Sequence, residues 1–347
     1  MTTFGLHGAE AWVLFVITLA FLFDLTNGAN NVSGIVASAV TTRALSARGA
    51  LILGAAVILI VQFIPAVGVA RVIGEELVQI GPTAAVDAPV RLFSAALIGA
   101  AGWNLFARQA GFPSSTTHAL IGGLIGAATA VGGRIEWGWA ELWSGGSLRG
   151  VTKVVVSLLV SPLLGLVVAY TITALLGWSF SRSTRGVEGW LRRIEVPLTL
   201  AQAAMYGLND AQKSMGIIGA TLAWYHGGPF SVPLWVRLFV GLALGIGANI
   251  GSRRIVRRVG SQIVRVTPLM AVTSQATSLA AALGATLASL PISSTQVIAS
   301  SIAGTGIYWR LRGVRYRTVQ AIIVTWFVTI PGAIAAGWAA GLLLSRA

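Results

Sequence analysis

The sequence predicts an all-α polytopic membrane protein built from two inverted-topology repeats with broken helices, and three observations lead there. Only 10% of the 347 residues are charged and 55% are hydrophobic, whereas a soluble domain carries roughly 25% charged residues. Uncharged runs at 49–70, 154–180, 266–309 and 318–345 reach the ~20 residues that a helix needs to cross the hydrocarbon core. Two unlike polar motifs also occur twice, in the same order.

Composition narrows the class further. The 42 glycines suit helices that approach closely in lipid and segments that break within it. The net charge of +14 lies in short segments between apolar runs, so it reads as a topology signal rather than a nucleic-acid surface. The chain has no cysteine, which excludes disulfides and thiolate metal sites. Residues 1–10 lack a basic leader region, and the first apolar run is expected to be a retained span.

Three segments are basic: 181–195 with Arg182, Arg185, Arg192 and Arg193; 253–265 with five arginines; and 310–317 with four. The positive-inside rule puts all three in the cytoplasm. Segment 71–91, with Glu75, Glu76 and Asp87, and segment 132–146, with Trp137, Trp139 and Trp143, fall outside. The chain then divides into an N-terminal repeat over 1–180, a short cytoplasmic loop over 181–195 and a C-terminal repeat over 196–347. Together they form one transport-type domain with both termini outside and about 10–12 membrane segments.

The repeat rests on spacing. Asn27-Gly28-Ala29-Asn30-Asn31 in the first half matches Tyr206-Gly207-Leu208-Asn209-Asp210 in the second, and Pro113-Ser114-Ser115-Thr116-Thr117-His118 matches Pro291-Ile292-Ser293-Ser294-Thr295-Gln296. Asn30 precedes Pro113 by 83 positions and Asn209 precedes Pro291 by 82. Nearly equal separations combined with opposite orientation are the inverted-repeat plan, which places binding sites near the membrane midplane at discontinuous helices.

A proline after an apolar run breaks one helix and suits the first turn of the next. The new helix start presents free N–H groups, the positive end of its dipole and neighbouring hydroxyls, a combination that holds phosphate or sulfate. Ser115, Thr116, Thr117, Ser293, Ser294 and Thr295 are therefore the candidate oxyanion ligands. The competing role for such hydroxyls is bonding across helices or to their own backbone.

Asp24 and Asp210 stand in apolar segments, where a charge is costly unless it faces a partner or an aqueous cavity. Asn209 and Asp210 supply oxygens suited to a hard cation, or a carboxylate able to carry a proton. Lys213, three residues after Asp210, either neutralises it on the same helix face or draws in the anion with Gln212 donating. His118 reads as a packing histidine or a proton relay. No nucleophile–base set, metal-ligand cluster or P-loop occurs in the sequence, so the chain is not expected to be an enzyme or to hold a cofactor.

Taken together, FDLTNGANNVSGIVASAVTTRAL at 23–45, GLNDAQKSMGIIGATL at 207–222 and the two hydroxyl blocks resemble the inorganic phosphate transporter (PiT) family over nearly the whole chain. The resemblance implies a symporter of the cytoplasmic membrane in which two re-entrant hairpins hold phosphate, coupled to Na⁺ or H⁺. It would give the hairpin hydroxyls and Gln212 to phosphate, and Asn30, Asn209 and Asp210 to the cation region. The substrate is then inorganic phosphate, free or as a metal–phosphate complex, with membrane lipid as the surroundings and a homodimer left open. The family pattern has aspartate where Asn31 stands and asparagine where Gly34 stands. The missing acid implies one cation site fewer in the first repeat, or reliance on Asp24 in the same segment. Sulfate permeation and a passive anion channel are the competing functions.

Overall fold

The computed structural model describes residues 6–79, 87–110, 114–144, 147–179, 186–250, 264, 266–309 and 315–346. Pro113, Arg265 and segments 181–185, 253–263 and 310–314, on which part of the orientation argument rests, lie outside the described residues. Among the described residues the regular structure is helical except for a short ribbon in which Val78 pairs antiparallel with Ile135.

The first half contains α1 (Leu6–Ile35), α2 (Ala37–Thr41), α3 (Ala47–Val61), α4 (Gly68–Arg71) running into a π-helical turn at Val72–Glu76, α5 (Ala88–Gln109), α6 (Thr116–Val131), α7 (Trp139–Ser144) and α8 (Gly150–Ser179). The second contains α9 (Gly186–His226), α10 (Leu234–Ile250), α11 (Pro268–Leu287), α12 (Ser294–Trp309) and α13 (Tyr316–Ser345). Local chemistry sets many of these ends. Ser46, Ser115 and Thr267 accept a hydrogen bond from a backbone N–H three residues on, the N-cap arrangement, and α6 stops at Gly132 with φ of 77°, the left-handed geometry that glycine adopts without strain.

The sequence assigns 181–195 to a loop, but α9 is helical from Gly186 onward. Pro197 does not break it, and its neighbours continue the helix on both sides. Likewise α1 and α9 run unbroken through Asn27–Asn31 and Asn209–Asp210, and the chain interruptions fall between α5 and α6 and between α11 and α12.

Gly8–Ile35, Ala88–Gln109, Gly150–Trp178 and Tyr316–Ser345 are each long and apolar enough to cross a membrane, so the chain is an all-helical multi-pass membrane protein. Its surface agrees. Leu163, Leu164 and Val167 on α8 and Val324, Phe327 and Val328 on α13 are exposed, while Asp24, Asn31, Asp210, Gln212 and Lys213 are buried. Apolar side chains outside and charges inside suit a lipid solvent.

Helix pairing repeats between the halves. α1 packs on α10 and α9 on α3; α5 and α6 pack together beneath α13, and α11 and α12 beneath α8. Each helix pair is thus covered by the last long helix of the opposite half. Glycine permits the contact at equivalent places: a Cβ on Gly126 would lie 2.0 Å from the Ile334 carbonyl oxygen, and one on Gly304 would lie 2.2 Å from that of Leu166. Both distances are far inside van der Waals contact, so any side chain there would push the helices apart.

Candidate functional site

The polar motifs of the two halves meet where α1, α6, α9 and α12 converge, between the two apolar clusters of the interior. Asp210 is the hub. Lys213, fully buried one turn on, forms an ion pair with its Oδ1. Its Oδ2 accepts from Asn31 Nδ2 at 2.9 Å and from Ser294 Oγ at 3.3 Å. One carboxylate is therefore held by donors from α1, α9 and α12, as a buried charge requires.

Asn31 extends the network into the first half. Its Nδ2 also lies 2.7 Å from Asn27 Oδ1 and 3.2 Å from Thr116 Oγ1, and Thr116 donates to Asn27 Oδ1 at 2.8 Å. The Asn27–Asn31 contact spans one turn of α1, which explains why the helix continues through a run of residues that otherwise favour turns. An amide nitrogen has two hydrogens to give, yet Asn31 Nδ2 faces three oxygens.

Beside this hub Asp24 is fully buried against Ser214 and Asn27, within electrostatic range of Asp210 and Lys213. Ser214 Oγ and Asn27 Nδ2 are the donors beside the Asp24 carboxylate, although neither reaches full hydrogen-bond geometry. Unmatched buried polar atoms are rare and mark strain, function or a ligand.

The interruption between α11 and α12 is stitched by side chains. Asn209 Nδ2 donates to the Leu290 carbonyl at 3.2 Å, Thr117 Oγ1 to that of Ile292 at 2.8 Å and Ser157 Oγ to that of Pro291 at 2.9 Å. Backbone groups that no helix satisfies must find partners in this way inside a membrane. Ser115 and Ser293 cap α6 and α12 by accepting from the N–H groups of His118 and Gln296, each at 3.3 Å, and Ser293 pairs with Thr295 at 3.0 Å.

The structure thus brings together Asp24, Asn31, Asp210, Lys213, Thr116 and Ser294. Gln212 is buried with its Oε1 accepting from the Val69 and Ala70 N–H groups at 2.9 and 3.4 Å, so it orders the start of α4. Asn30 is half-buried beside the network, and His118 is buried with Nδ1 unpartnered among the described residues. Sequence reasoning passed over Asn27 and Ser214. Asp24, Asn27 and Asn31 are three and four residues apart, a helical stripe that was there to be found. A Cβ on Gly34 meets nothing within 4 Å, so sterics do not demand glycine there.

Charges and amides gathered inside a multi-pass helical bundle, with helix starts facing them from both halves, define a membrane transport protein rather than an enzyme. The chain belongs to the phosphate transporter family, whose sequence profile matches residues 27–337. Among its relatives, a probable low-affinity inorganic phosphate transporter of Bacillus subtilis is 33% identical over 321 residues, covering 92% of each chain. One of the same description from Rhizobium meliloti is 32% identical over the same share. The fold is that of a solved sodium-dependent phosphate transporter, with a TM-score of 0.83 at 21% identity, covering 97% of this chain and 99% of that one.

Proposed function

We propose that this protein is a phosphate–cation symporter of the cytoplasmic membrane. Two inverted repeats, each with a re-entrant hairpin, alternate access to a central site, and both termini lie outside. The observation that carries the reading is the Asp210 carboxylate, shared between donors from α1 of one half and α9 and α12 of the other. A carboxylate held from both halves responds to their relative movement, which is what coupling requires.

In this reading the α6 and α12 starts, with Ser115, Thr116, Thr117, Ser293, Ser294 and Thr295, receive the oxyanion from two sides. Asp24, Asn31, Asn209 and Asp210 form the cation region with Asn30 beside it. Gln212 supports the site through α4 rather than by direct contact. Lys213 neutralises Asp210 in the absence of a cation and offers positive charge to the anion. Phosphate is favoured over sulfate because its protonated form can donate to a buried carboxylate, whereas sulfate cannot.

The experiment is uptake of labelled phosphate by proteoliposomes under imposed Na⁺ or H⁺ gradients, with unlabelled sulfate as competitor. Symport predicts that one gradient accelerates uptake and that sulfate competes weakly. Uptake indifferent to both gradients favours a channel, and equal competition favours the sulfate reading.

Asn31→Asp gives a sharper test. The new carboxylate would stand where an amide now donates to Asp210 Oδ2 at 2.9 Å, and two carboxylates at that distance need a proton or cation between them. Phosphate uptake by the variant is expected to couple to one more cation than uptake by the parent, seen as a steeper dependence on Na⁺ or pH. An unchanged ion dependence and stoichiometry would remove Asn31 from the cation region.

A further inference from the structure

A polar stripe runs along one face of α9. Glu195, Thr199, Gln202, Tyr206 and Asp210 are spaced three or four residues apart and all are buried. At 1.5 Å per residue it links the central site to a point ~22 Å nearer the helix start. At that far end stands Glu195, a carboxylic acid that the transport site does not use.

Glu195 is fully buried. Its Oε2 accepts from Thr42 Oγ1 at 2.7 Å, and its Oε1 has no partner among the described residues. One turn on, Thr199 accepts from Gln275 Nε2 at 2.8 Å and itself donates to the Glu195 carbonyl at 2.8 Å. Gln275 Nε2 also donates to Ser38 Oγ at 2.7 Å, while Gln275 Oε1 is unpartnered among the described residues. The cluster therefore joins α2 of the first half to α9 and α11 of the second, apart from the contacts around Asp210. Glu195 Oε1 and Gln275 Oε1 are its two acceptors without a donor among the described residues.

A proton on Glu195 removes the buried charge and gives its unmatched oxygen a hydrogen to donate. We propose that Glu195 is a second proton-binding site, separate from Asp24 and Asp210, whose protonated form closes the α2–α9–α11 contact between the halves and whose ionised form releases it. The inference rests on the transport reading, in which the halves separate at this end. Burial pushes the Glu195 carboxyl up to about 7, with the Thr42 hydroxyl and the Arg192 charge opposing; the residue ends the basic segment and precedes the apolar run that begins at Val196. Arg192 is itself engaged by Glu188 at 3.9 Å. Among the described residues, the facing groups from α2, its C-cap and α11 are Ser38, Thr42 and Gln275, which do not titrate.

The sign follows from linkage. The closed contact raises the pKa, and separation hydrates the acid and returns it towards its ordinary value of 4.5. Closure is unopposed below that value and is progressively weakened as pH rises towards about 7, so opening releases a proton.

The test is exchange of labelled phosphate across proteoliposomes holding equal phosphate and equal pH on both sides, which removes gradients. Glu195→Gln imitates the protonated acid. The ratio of wild-type to variant exchange rate is expected to grow by roughly 70-fold between about pH 5 and about pH 8, since opening takes the acid from about 7 to 4.5 and each pKa unit corresponds to a factor of ten. Thr42→Val removes only the donor to the ionised form and is expected to move the wild-type inflection to higher pH; it carries the same test if Glu195→Gln does not fold. Parallel pH profiles for the wild type and the variants overturn the assignment of Glu195 alone. Wild-type protein that exchanges no phosphate at any pH overturns the transport reading itself.

Discussion

Asp210→Asn is expected to abolish gradient-driven phosphate uptake and to destabilise the protein by about 3–5 kcal/mol, the cost of leaving a buried charge without its partner. The stranded charge is Lys213, fully buried and paired with Asp210. The substitution also exchanges one of the two acceptor oxygens for an amide donor, so Lys213 on Oδ1 and the Asn31 and Ser294 donors on Oδ2 can no longer all be satisfied. Thermal unfolding of the purified variant and uptake in proteoliposomes read the two effects separately. The double variant Asp210→Asn/Lys213→Met is expected to regain much of the stability, because no buried charge is left, without regaining driven uptake. Recovery of driven uptake in the double variant would mean that the pair is structural only.

Gly28→Ala is expected to disable transport from a position with no polar group. A Cβ on Gly28 would lie 2.1 Å from the Leu244 carbonyl oxygen, and across the same crossing a Cβ on Gly247 would lie 2.3 Å from that of Leu25. α1 and α10 touch backbone to backbone here, so one methyl group must separate them. Overpacking of this kind costs about 1–3 kcal/mol. The functional loss is larger than the stability loss, because Asn27 and Asn31 flank Gly28 on α1 and depend on bonds of 2.7–3.2 Å. Gly102→Ala is the control: Gly102 is exposed on α5 and a Cβ there meets nothing within 4 Å. It is expected to leave unfolding temperature and uptake unchanged, and equal losses in the two variants would mean that close approach at Gly28 is not the cause.

The membrane class was legible because scarcity of charge and length of apolar runs are properties of the chain alone. The matched motifs were legible too, since the separations of 83 and 82 positions survive without knowledge of the fold. Glu195 was read as the last residue of a loop, yet it sits inside a helix and within a buried cluster. Its burial comes from Thr42, which is 153 positions away.

By itself the sequence determined the helical membrane architecture, the two hydroxyl blocks and the acids worth watching, because hydropathy, proline breaks and motif spacing are local or one-dimensional signals. Only the tertiary structure decided which donor each acid meets. It placed Asn31 on Asp210, 179 positions apart, and turned Gln212 towards the start of α4. It also gathered Asn27 and Ser214 around the buried Asp24 carboxylate. The reason is geometric: helix crossings set by glycine contacts bring distant turns within hydrogen-bond range. Partners at a crossing depend on rotation and depth of packing, which no spacing along one strand of sequence records.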